Sequence, residues 1–109
     1  CYQLGQAIRA AVESWEDDAR VGVVASGGLS HFVIDEDLDH NVIKAMKNRD
    51  VEALTGIPRE KLNSGNSEIR NWIAAAGATE HLDMKMIDYV PCYRSPAGTG
   101  CAMGFAQWT

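Results

Sequence analysis

Apolar Leu4, Ile8, Ala11, Val12 and Trp15 recur at intervals of three and four from almost the first residue, the period of a helix with one buried face. No capping residue precedes them, so the chain reads as entering inside a helix, with an N-terminal portion expected before it. After Glu16-Asp17-Asp18, most simply a solvated turn, the period changes. Val21-Gly22-Val23-Val24-Ala25 is a short β-branched run, the pattern of a buried strand, and Ser26-Gly27-Gly28 closes it with a tight loop.

Helical spacing returns over Asp35 to Asn48, where Leu38, Val42, Ile43 and Met46 line one face, with acids early and Lys44, Lys47 and Arg49 late. Pro58 opens a brief helical turn over Arg59–Leu62, and Ser64-Gly65-Asn66-Ser67 supplies capping residues for a helix from Glu68 to Ala76. Gly77 is placed to stop it. Met86–Tyr93 and Ala102–Trp108 alternate as strands around a loop at Ser95–Gly100. The order of elements predicts an α/β fold with a partly parallel or mixed sheet flanked by helices. Residues 1–109 read as one unit, the C-terminal portion of a larger domain, with no repeat or linker inside it.

Composition narrows the function. At 109 residues there is material for one modest core. Ten Lys and Arg against fifteen Asp and Glu give a net charge of −5, with no basic stripe, so nucleic acid is not an expected partner. No apolar stretch approaches the roughly 20 residues of a membrane crossing. The N-terminal Cys1-Tyr2-Gln3-Leu4 lacks the basic-then-apolar pattern of a secretory signal. Cys1, Cys92 and Cys101 form an odd set without metal-type spacing, which predicts free thiols and a cytoplasmic location.

Two residues stand out chemically. His31 ends Ser26-Gly27-Gly28-Leu29-Ser30-His31, where glycines let a substrate approach the backbone and an imidazole can carry a proton near neutral pH. Its plain alternative is a histidine that hydrogen-bonds a loop. Glu68 lies at the edge of an apolar arc formed by Ile69, Trp72, Ile73 and Ala76, where a carboxylate can hold a metal or simply complement the helix dipole. His40, among Asp37, Asp39 and Asn41, and His81 read as solvated surface residues, and neither has the i, i+4 partner of a helical metal pair. Trp15 and Trp72 read as core or interface. A Ser30 nucleophile with His31 as base is a weaker reading, because adjacent residues rarely present side chains to one another.

Val23-Val24-Ala25-Ser26-Gly27-Gly28-Leu29-Ser30-His31, Ser67-Glu68-Ile69-Arg70-Asn71-Trp72 and Pro96-Ala97-Gly98-Thr99-Gly100 together resemble, in order and separation, the catalytic subunit of the protocatechuate 4,5-dioxygenase family of class III extradiol ring-cleavage dioxygenases. The gallate and methylgallate branch is nearest. The resemblance implies cleavage of a catechol-type ring by dioxygen at a non-heme iron(II) held by two histidines and a glutamate. It assigns Glu68 to the metal, His31 with Ser30 to acid–base catalysis, and Gly98 and Thr99 to substrate contacts. No segment here matches the two iron-binding histidines, so an N-terminal portion or a partner chain is expected to supply them. An oligomer is expected, and the fragment alone is expected to be inactive. The alternative is a non-catalytic binding or interaction module of the same fold.

Overall fold

The computed structural model describes all 109 residues. Helix α1 (Tyr2–Ser14) is followed by an irregular stretch and a short strand β1 (His31–Val33), then by α2 (Glu36–Lys47) and α3 (Val51–Thr55). Two 3-10 turns, Arg59–Leu62 and Ser64–Glu68, lead into α4 (Ile69–Ala78), and the chain ends in β2 (Met84–Tyr93) and β3 (Thr99–Trp108). The three strands form one sheet in the order β1-β3-β2. The α/β class holds, and both strand pairings are antiparallel.

Helix α2 follows its sequence closely. Asp35 caps it by accepting the Leu38 amide at 3.0 Å, acids fill its first turn and Lys44 and Lys47 its last, so both ends complement the helix dipole. Its Leu38, Val42, Ile43 and Met46 are buried, joining Leu29, Leu54, Ile69, Trp72, Ile73 and Ala102 in a single core. In β2 and β3 the register slips once, between Met86 and Asp88, where Ile87 is the extra residue of a bulge.

Three expectations are corrected. Val21–Ala25 forms no strand: it pairs with nothing, and Val24 is 86% exposed. A central strand needs a hydrogen-bonding neighbour at its edges and covering layers on both faces, and the three-stranded sheet lies elsewhere. Along α1 the stripe of Leu4, Ile8 and Trp15 is exposed, and the residues buried are Tyr2 and Gly5. Close backbone approach decides this. A Cβ at Gly5 would stand 1.9 Å from the Ala74 carbonyl oxygen, and one at Gly77 would stand 2.1 Å from that of Tyr2. Gly77 therefore does not stop α4, which continues to Ala78, but lets α1 cross it.

Tyr2 fastens the same crossing by donating its hydroxyl to Glu80 at 2.7 Å. Burial first, and then that hydrogen bond, push its phenol from the usual 10 up to about 12. A group whose folded pKa is raised contributes stability fully below the unfolded value and loses it as pH climbs through the folded one. The Tyr2 contribution is thus expected intact up to about pH 10 and lost by about pH 12. Thermal melts across that window should show wild-type protein losing more stability than Tyr2→Phe. Parallel losses would refute the assignment.

Candidate active site

The loop Ser26–His31 runs from the unpaired apolar stretch into β1, and α4 begins beside it. Trp72 and Asn71, on the first turn of α4, grip the loop: the indole Nε1 donates to the Gly27 carbonyl at 3.1 Å and the Asn71 amide to that of Ser26 at 2.8 Å. Trp72 is also core, only 4% exposed, so one side chain ties the loop to the hydrophobic interior. Gly27 has φ +134°, and a Cβ there would come within 2.7 Å of Glu68 Oε2. Only glycine lets the loop lie against this carboxylate.

Glu68 stands where the 3-10 turn becomes α4, with its side chain 42% exposed. Its Oε2 accepts the Gly28 amide at 2.6 Å and meets His31 Nε2 at 3.1 Å. A carboxylate fixed by a backbone amide is held in one orientation at little entropic cost. The expected placement of Glu68 on the margin of the Ile69, Trp72, Ile73 and Ala76 arc is what the structure shows, all four being buried.

His31 is held at three points. Its amide donates to Asn66 Oδ1 at 2.6 Å, and its Nδ1 lies 2.7 Å from the Leu29 carbonyl oxygen. A carbonyl only accepts, so Nδ1 carries the proton and Nε2 is the ring atom left for chemistry. A Cβ at Gly65 would fall 2.3 Å from His31 Cβ, so the 3-10 turn closes directly over the ring. The next residue, Phe32, has φ +67°, a strained value for an aromatic residue that survives only where its surroundings enforce it.

Beside this pair opens a groove of about 640 Å³ with a largely apolar wall, in which Val24, Ile87, Met103 and Phe105 stand near the two polar side chains. Cys101, opposite His31 in the sheet, also lines it. Burial, and then the Glu68 carboxylate, push the Cys101 thiol above its ordinary value.

Ser30 occupies a different place from the one the sequence suggests. It is fully buried, its hydroxyl donating to Asp39 Oδ2 at 2.6 Å and accepting the Asp35 amide at 2.9 Å. The hydroxyl has no contact with the His31 ring, which removes the geometric basis for a serine nucleophile. Gly98 and Thr99 are not brought to the groove either. Gly98 closes the β2–β3 turn, its amide donating to Ser95, and Thr99 opens β3 opposite Val33. His40 and His81 are exposed and belong to no metal-type cluster, His40 resting edge-on against Tyr89.

Asn66, Gly65 and Asp39 are site residues that pattern alone did not single out. Asn66 was legible only as a cap; instead it spans 35 residues to receive the His31 amide. Asp39, read as surface, is fully buried.

No three His, Cys, Asp or Glu side chains converge on a point where they could hold a metal ion. Glu68 offers one oxygen donor, with His31 Nε2 3.1 Å from it. This chain by itself does not fit a three-ligand iron centre.

An imidazole at the start of β1 paired with a carboxylate at the start of α4, beside a largely apolar groove, can exchange a proton with a molecule lying there. Residues 1–101 match the model of the catalytic LigB subunit of aromatic ring-opening dioxygenase, and the chain belongs to that family. Over 33 residues it is 58% identical to a gallate dioxygenase from Pseudomonas putida, a match covering 30% of this chain and 10% of that protein. The match therefore spans about a tenth of the relative's length. No solved structure matches the chain.

Proposed function

We propose that this chain carries the acid–base residue and one metal ligand of an extradiol ring-cleaving dioxygenase, whose other two ligands, both histidines, come from residues outside it or from a partner chain. The convergence of His31 Nε2 and Glu68 Oε2 at 3.1 Å beside the groove carries this reading. Family membership supplies the reaction class.

In this reading Glu68 is the carboxylate ligand, pre-oriented by the Gly28 amide. Bound iron(II) would supply the dioxygen-activating chemistry, with Glu68 as the one ligand this chain would contribute. His31 Nε2 receives the proton of a catechol hydroxyl and later returns it to the product, while Nδ1 stays tied to Leu29. Phe105, Met103 and Ile87 shelter the ring from water. In the intact enzyme the reaction would break the carbon–carbon bond next to the diol and place both atoms of dioxygen in the product. Ser30 serves by holding the loop. Gly98 and Thr99 would meet only those substituents that reach along β3 beyond Cys101. The exposed Val21, Val23 and Val24 suit coverage by the remainder of a larger assembly, and three unpaired cysteines suit a reducing cytoplasm.

The test is oxygen uptake by the iron-loaded intact enzyme with a panel of vicinal diols, gallate included. Uptake of one dioxygen per diol, with formation of a ring-opened product, is expected. No uptake with any diol would defeat the proposal and favour a non-catalytic binding module of this fold.

A further inference from the structure

We infer that Asp39 is the positioning residue that orients the His31 imidazole, acting through the peptide group between Leu29 and Ser30. The inference rests on the reading of His31 as the proton carrier.

Asp39 lies on α2 and is completely buried, an uncommon place for a carboxylate. No Lys, Arg or His forms an ion pair with it. Hydrogen bonds compensate its burial instead. Oδ1 accepts the Ser30 amide at 2.9 Å, and Oδ2 accepts both the Ser30 hydroxyl and the Tyr89 hydroxyl at 2.6 Å. Three donors from β2 and the catalytic loop thus meet on one carboxylate.

The geometry of one peptide plane connects this carboxylate to the imidazole. The Ser30 N–H and the Leu29 C=O belong to the same rigid planar unit and point in opposite directions. Asp39 Oδ1 holds the N–H end, and His31 Nδ1 bonds to the C=O end at 2.7 Å. Fixing one end fixes the direction of the other, and a charged acceptor on the N–H strengthens the carbonyl as an acceptor. Flanking bonds oppose translation of the same plane: the Leu29 amide donates to Ala102, whose own amide donates to Ser30, both at 2.8 Å. These bonds anchor the loop to β3 but leave the Ser30 N–H to Asp39 alone. The Asp39 carboxylate therefore sets the direction of the carbonyl that Nδ1–H meets, and so turns Nε2 toward Glu68 and the groove.

The experiment uses the ¹⁵N-labelled 109-residue chain without metal, read by long-range ¹H–¹⁵N correlation of the imidazoles at one fixed pH above the usual histidine value of about 6.5. Wild type should show His31 Nδ1 as a protonated nitrogen. In Asp39→Ala that resonance should move toward the unprotonated position, while Asp39→Asn, whose Oδ1 still accepts the Ser30 amide, should restore it. His81, exposed and remote, should not change in either variant. An unchanged His31 signal in folded Asp39→Ala would overturn the inference, as would a shift that Asp39→Asn fails to reverse.

Should Asp39→Ala fail to fold, amide exchange in wild type decides the matter. The Ser30 amide must be protected, and exchange at the rate of a free loop amide would overturn the inference. Neither readout involves iron or turnover, so failure here leaves the ring-cleavage reading standing, and failure of that reading leaves this one testable.

Discussion

Alanine at His31 is expected to lower turnover of the intact enzyme by about 10²- to 10⁴-fold, the usual contribution of a positioned general acid–base group, while leaving its iron content unchanged. The imidazole reaches the groove through Nε2 alone, because Nδ1 is committed to Leu29, so its loss removes the proton acceptor without removing a ligand. The fold should survive, since Asn66 bonds the His31 backbone and not its ring. Steady-state oxygen uptake together with iron analysis checks this. Wild-type turnover in His31→Ala would rule out the acid–base role, and loss of iron would make His31 a ligand instead.

The opposite signature is expected of Glu68→Ala: iron is lost, and turnover with it. Substitution of partners that merely orient metal ligands commonly costs roughly 10- to 100-fold in affinity, and removal of a ligand should cost more than that. Two local effects accompany the change. The Gly28 amide loses its acceptor and His31 Nε2 its partner, so the loop loosens as well. Trp72 and Asn71 still hold Gly27 and Ser26, which should keep the variant folded. Iron content per chain after desalting is the readout, and full retention of metal with normal turnover would sink the ligand assignment.

How much of this was legible in the sequence depends on the range of the interaction involved. Helix α2 was readable because its cap, its charges and its apolar spacing are all local. Glu68 was readable because one helix turn places it at the edge of an apolar arc. The glycine-rich approach to His31 was readable as a loop, and Gly27 proves to be glycine for contact with Glu68, 41 positions away.

What local pattern misjudged was decided by distant partners. The alternation around Asp37, Asp39 and Asn41 suggests a wet helix face, yet Asp39 is buried by donors 9 and 50 residues away. Val21–Ala25 has the composition of a central strand, but strand formation needs a hydrogen-bonding neighbour and none lies beside it. β1 is three residues long, too short for any period to reveal, and is defined by its pairing with Thr99–Cys101. The class of chemistry was carried by motif order, which the family match over residues 1–101 supports.

In the proposed reading Glu68 and His31 belong to a metal site whose other ligands lie outside this chain. Calorimetric titration of the 109-residue chain with iron(II) under anaerobic conditions tests it most directly. With only one carboxylate donor and no converging third ligand, no stoichiometric binding is expected. One equivalent of tightly bound iron(II), lost again in Glu68→Ala, would contradict it.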